Sequence, residues 1–166
     1  MSTSNPGKPD QVRRKDMAMS MKLTRDELVD RLVTAGELEV AGAPTDEIAS
    51  YFDVENFRFH GPDGFESDFD GLNSYLAAIR AAFEDRKIRR GIVLVEGNMV
   101  ACQTWITGRF VREFAMSPAG PLPPNGAYIT MDLINIFIFT DDGRLVEEFV
   151  RTDYRSFLRQ LGAEGR

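Results

Sequence analysis

Apolar residues recur along this chain at two different periods, and the change of period divides it in two. In the first half the spacing is helical. Thr24 is followed three residues later by Glu27, the capping-box pattern, and Leu28, Val29, Leu32 and Val33 follow at intervals that share a helix face. Gly42-Ala43-Pro44 ends that helix. Thr45 is the expected cap of a second, short helix whose Ile48, Tyr51 and Phe52 fall on one side. Phe57 to His60 alternates as a short strand and runs into a Gly61-Pro62-Asp63-Gly64 turn. A third helix is predicted with Asp70 as its N-cap, because Leu72, Tyr75, Leu76, Ile79 and Phe83 fall at i, i+3, i+4, i+7 and i+11.

Beyond this the period shortens to two. Ile88–Val95 reads as a strand, Glu96-Gly97-Asn98 as a hairpin turn and Met99–Phe114 as a long strand. Ser117 to Gly126 must be a loop, since its prolines cannot enter a ladder. Ala127–Thr140 and Arg144–Asp153 read as two further strands joined by Asp141-Asp142-Gly143, and a short helix, Arg155–Leu161, closes the pattern. Helices first and an antiparallel meander afterwards describe an α+β domain. The strand 127–140 is apolar on both faces: Ile134, Ile136 and Ile138 on one, Leu133, Phe137 and Phe139 on the other. Antiparallel strands commonly show water one polar face. Burial on both sides predicts helices against one face and a second copy of the chain, a homodimer through the sheet, against the other.

Composition narrows the partners. The 166 residues carry a net charge of −6, which argues against nucleic acid, whose phosphates need a concentrated basic surface. One cysteine, Cys102, excludes an internal disulfide and suits a reducing cytoplasm. With a single histidine besides, a structural zinc site is excluded, and no metal or organic cofactor is expected. The longest nearly apolar run, Leu133 to Phe139, is too short to span a bilayer, and the first twenty-odd residues lack the apolar core of a signal peptide. The chain therefore reads as cytoplasmic, with no membrane partner. Residues 1–22 are polar, contain Pro and Gly, and show no periodicity, as a disordered arm does.

The order and spacing of several segments add a resemblance. FRFHGPDG (57–64), a helix containing GLNSYLAAIRAAF (71–83), VEGNMVACQTWITGRFVREF (95–114), LPPNG (122–126), INIFIFTDDGRLVEEF (134–149) and SFLRQLG (156–162) together resemble the SnoaL-like polyketide cyclase family of the nuclear-transport-factor-2-like superfold. The resemblance implies one cone-shaped domain over residues 23–166, with N-terminal helices packed on a curved, mostly antiparallel sheet around an apolar pocket. It implies a cofactor-free cyclase or isomerase moving protons on a small, largely apolar carbonyl or polyketide-like compound. The superfold also hosts non-catalytic binders. The family's acid–base Asp on the last strand falls at Val150, and a family histidine on the preceding strand falls at Leu133. Neither can move a proton.

Within such a cone the candidates are the polar residues that can converge on the pocket. His60, as a neutral imidazole at the end of the first strand, is either a base at the pocket mouth or a ring packed at a turn. Arg58 shares its face. Asp132 and Asp153 are the candidate acids; the alternatives are a strand-end residue in water for Asp132 and a solvated charge network for Asp153. Asn135, in the middle of an apolar run, either orients a substrate carbonyl or bonds a neighbouring strand. Trp105 belongs to the more polar face of its strand, which lines the pocket or forms the outer surface and dimer contact. Tyr51 sits on an apolar helix stripe, packed in the core or reaching the pocket with its phenol tip.

Overall fold

The computed structural model describes residues 22–163. All but the last residue of the arm expected over residues 1–22 thus lie outside the described residues. The chain opens with helix α1 (Arg25–Ala41) and the short α2 (Thr45–Ala49), followed by β1 (Arg58–His60), a 3-10 turn (Pro62–Gly64), β2 (Glu66–Ser67) and α3 (Phe69–Ala82). Four longer elements follow, β3 (Phe83–Glu96), β4 (Met99–Phe110), β5 (Tyr128–Phe139) and β6 (Leu145–Thr152), and α4 (Tyr154–Gln160) comes last.

Local chemistry sets these boundaries. The Thr24 backbone N–H donates to the Glu27 carboxylate at 2.7 Å while the Glu27 N–H donates to the Thr24 hydroxyl, so the capping box closes in both directions. Gly42 ends α1 in the left-handed region, φ 82°, where a side chain would be strained. Two caps differ from the sequence expectation. Thr45 is the first residue of α2 and follows Pro44, which has no side-chain acceptor to cap with. For α3 the cap is Asp68, which accepts from the Gly71 N–H at 2.9 Å, and Asp70 lies within the first turn.

The six strands form one curved sheet in the order β2-β1-β6-β5-β4-β3, antiparallel except where β1 runs parallel to β6. The α+β architecture with helices on a mostly antiparallel sheet is thus as expected, with β2 and the parallel junction added to it. β3 starts at Phe83, five residues before the apolar alternation begins. Glu84 to Lys87 hide it from the pattern because a bulge lies there, with Asp85 at φ 51°. Along β5, Met131, Leu133, Asn135 and Phe137 point to the concave face with Thr104 and Ile106 of β4 and Glu148, Val150 and Thr152 of β6. Asp132, Ile134 and Ile136 point to the convex face. Two apolar clusters hold the helices to the sheet. Phe52, Phe57, Phe69 and Phe137 centre the first, and Phe83, Phe110, Phe114 and Phe157 the second.

Candidate functional site

Between the two clusters the concave face stays open. A cavity of about 520 Å³ lies there, walled by α3 through Leu72, Tyr75, Leu76 and Ile79, by Phe59 of β1, and by β3 to β6. The Pro62–Phe65 turn and Met116 to Pro118 stand at its edge, and Tyr154 and Phe157 of α4 complete it. Most of this lining is apolar, so the polar side chains in it carry the chemistry.

Five of them form one group. Glu148, on the concave side of β6, is buried; its Oε1 accepts from Asn135 Nδ2 at 2.9 Å. Arg90 reaches in from β3 and donates through NH1 to Thr104 Oγ1 at 2.6 Å, with its guanidinium carbon 5.5 Å from the Phe137 ring centre. Glu39 enters from α1. It is half-buried and lines the cavity. Among the described residues no carboxylate lies within ion-pair distance of Arg90, whose charge acts on Glu39 and Glu148 through space.

Burial decides the protonation of this group. It pushes the Glu148 carboxyl up to about 7, against the Asn135 hydrogen bond and the Arg90 charge, which pull it down. Burial first and the Glu148 charge second push Glu39 up to about 8, with Arg90 and Arg80 opposing. The two carboxyls therefore titrate as a pair in the neutral range rather than near pH 4.5. Burial also raises the phenols of Tyr75 and Tyr154, which stay protonated in the cavity wall. Among the described residues no group of three or more His, Cys, Asp and Glu side chains is placed to hold a metal ion.

Of the seven candidates read from the sequence, Asn135 lies in this group. The other six do not line the cavity. His60 follows Phe59, which does line it, so the strand alternation sends the imidazole to the other face. There it stacks on Phe149 at 4.4 Å and meets Glu147 at 2.9 Å and Glu66 at 3.3 Å. Arg58 is exposed and donates to its neighbour's carbonyl, Phe57 O. Asp132 is exposed on the convex face, and Asp153 caps α4 by accepting from the Ser156 N–H at 3.0 Å. Trp105 lies on the convex face beneath the Arg89 guanidinium, 4.4 Å from its ring centre, and Tyr51 packs under Arg31. Val150 and Leu133, at the positions where the resemblance expected an acid and a histidine, both line the cavity.

Glu39, Arg90, Thr104 and Glu148 went unread in the sequence, though signals were present. Glu39 falls seven residues after Leu32 and four after Ala35, inside the buried stripe of α1. Glu148 alternates in phase with Val150 on the buried face of β6. A charge at a core position of an amphipathic element is such a signal.

Helices closing a curved sheet into a cone around a mostly apolar cavity define the nuclear-transport-factor-2-like class. A sequence model of the SnoaL-like domain matches residues 29–148, and the chain belongs to that family. Similar solved structures include AclR from Streptomyces galilaeus, 15% identical over 86% of this chain and 85% of AclR, with a TM-score of 0.70. TsrD from Streptomyces laurentii is 21% identical over 85% of this chain and 98% of its own, with a TM-score of 0.69. A SnoaL-like polyketide cyclase from Agrobacterium tumefaciens is 18% identical over 81% and 98%, with a TM-score of 0.62. At these identities the likeness establishes the fold. No protein of curated function matches the sequence.

Proposed function

We propose that the protein is a cofactor-free acid–base enzyme of the cyclase or isomerase type, acting on a small, largely apolar carbonyl compound in the concave cavity. The observation that carries this is the pair of carboxyls, Glu39 and Glu148, held near neutrality in an apolar cavity beside the Arg90 guanidinium, which has no ion-pair partner among the described residues. An acid and a base work best when their proton affinities lie near the working pH. The roles expected at His60, Asp132 and Asp153 pass in this reading to Glu148 and Glu39.

Ionised Glu148 takes the proton from the carbon next to the ligand's carbonyl. The electron pair of that C–H bond moves into the adjoining C–C bond, and the carbonyl oxygen becomes an enolate oxygen. Arg90 donates to that oxygen, a preorganised charge where charge develops. Glu39, protonated at neutral pH, then delivers a proton to carbon in an isomerisation. In a cyclisation the enolate carbon first attacks a second carbonyl of the same ligand, and that carbonyl's π pair moves to its oxygen as the C–C bond forms. Glu39 then protonates the resulting alkoxide. Proton return from Glu148 through solvent resets the pair. The test is exchange of the C2 protons of 1-tetralone in D2O, followed by NMR. The expected result is protein-dependent exchange that falls about a hundredfold in Glu148→Gln.

A second reading, a non-catalytic small-molecule binder, is favoured by Val150, which puts a methyl pair into the cavity where the resemblance places the acid. It predicts binding without exchange. Under either reading the convex face serves a homodimer. Leu94, Ala101 and Ile136 form one cross-strand row there, with Leu94 at 65% and Ile136 at 42% exposure.

A further inference from the structure

Helix α1 meets the cavity at its C-terminal turn, through Glu39, and that turn is capped from outside the helix. The last four carbonyls of a helix lack partners within it. Here Leu38 O accepts from the N–H groups of Gly42 and Ala43, both at 3.0 Å. Glu39 O and Val40 O are served instead by guanidiniums of other elements. Arg80, in the last turn of α3, donates through NH1 to Glu39 O at 2.9 Å. Arg86, in the β3 bulge, donates through Nε to Val40 O at 3.1 Å and through NH1 to Arg80 O at 3.0 Å. The sequence of α1 makes the borrowing necessary, since its own last turn has no basic residue. Gly42 leaves room for it, because a Cβ there would stand 3.0 Å from Arg80 Cδ and 3.3 Å from its Nε.

Two like charges at one helix end repel each other. Burial first and the Arg86 charge second pull the Arg80 guanidinium below the usual arginine range, and Glu39 opposes them. One cation would meet the helix dipole. What Arg80 adds is a hold on Glu39 itself, whose carbonyl it binds and whose carboxyl its charge reaches. Three charged groups act on that carboxyl. Glu148 on β6 favours its proton, while Arg90 on β3 and Arg80 on α3 oppose it. Arg90 lines the cavity; Arg80 does not, and acts only through Glu39. We propose that Arg80 is a positioning residue: it fixes the end of α1 beside the cavity and supplies a positive charge that helps Glu39 release its proton. Without the hydrogen bond the last turn of α1 is free to carry the carboxyl away from Glu148. Without the charge Glu39 keeps its proton to higher pH and is a weaker acid. The use of that proton rests on the acid–base reading; the hold of Arg80 on Glu39 is measured without turnover.

The experiment is a carbon-13 NMR titration of the Glu39 carboxyl in the full-length protein, assigned with Glu39→Gln and repeated in three variants. Arg80→Lys keeps the charge and a donor, Arg80→Gln keeps a donor only, and Arg80→Met keeps neither. The Glu39 midpoint is expected to rise by about half a pH unit in Arg80→Gln and Arg80→Met, and to move by less than about 0.2 unit in Arg80→Lys. In the two neutral variants the falling limb of C2 exchange in 1-tetralone is expected to move to higher pH with it. Should Arg80→Met not fold, Arg80→Gln carries the comparison. An unchanged midpoint in the folded neutral variants, or a rise as large in Arg80→Lys, overturns the proposal and leaves Arg80 a helix cap only. A raised midpoint in a protein that catalyses no exchange leaves the hold of Arg80 on Glu39 standing and removes the acid–base reading.

Discussion

At the scale of single residues, the proposed chemistry rests on carboxyls buried in apolar surroundings. Glu39 and Glu148 both hold a proton more tightly folded than unfolded, because burial penalises their charged forms. The sign of the consequence follows. A folded state that binds more protons than the unfolded state is stabilised at low pH and loses that stability as pH rises. Stability against urea is therefore expected to decline between about pH 5 and pH 8 as the pair ionises. In the double variant Glu39→Gln, Glu148→Gln the decline is expected to flatten. A midpoint that rises over the same range would show that the carboxyls are stabilised in their charged forms. His60 illustrates the opposite case. A lone histidine beside a Gly-Pro turn is conspicuous in the sequence, yet its ring lies between Glu147 and Glu66 on the face away from the cavity.

At the scale of elements, α1 and β3 meet through a glycine. Gly36 lies within α1, where alanine would favour the helix by about 1 kcal/mol. A Cβ there would stand 2.5 Å from the Arg90 guanidinium nitrogen and 3.1 Å from Ile88. The helix gives up intrinsic stability and leaves room for the arginine that faces the cavity. Gly36→Ala is accordingly expected to keep the fold and its thermal midpoint within a few degrees while lowering C2 exchange about tenfold or more. Equal exchange in this variant would show that the space Gly36 leaves for the Arg90 guanidinium does not matter to the reaction. Helical stripes, proline-bearing loops and hairpin glycines were legible in sequence because each is fixed by local stereochemistry. The edges were less so. The start of β3 hides in a bulge of charged residues, and β2 is two residues long. The parallel pairing of β1 with β6 joins segments nearly ninety residues apart, which no local pattern encodes.

At the scale of the whole molecule, the sheet has two faces of different character. The concave one holds the cavity. Which face was which could not be read from β5, because both of its faces are apolar; only the three-dimensional closure of α3 and α1 over Asn135 and Phe137 decides it. That is also why Asp132 and Trp105 were read as candidates. They sit in the same strands as true lining residues, one position out of phase. The convex face, with Ile92 at 69% exposure beside Leu94 and Ile136, predicts a dimer by sedimentation and a monomer in Ile136→Lys. A wild-type monomer at micromolar concentration would refute that contact. Among the described residues no helix is long and apolar enough to cross a membrane.

The central claim is that Glu148 moves a proton in the cavity with Glu39 as its partner, and the pH profile of C2 exchange in 1-tetralone tests it most directly. Exchange is expected to rise as the pair first ionises near pH 7, pass through a maximum, and fall as Glu39 loses its proton near pH 8. Glu148→Gln should abolish the rising limb. Exchange that rises through about pH 4.5, or that is unchanged in Glu148→Gln, would contradict the account.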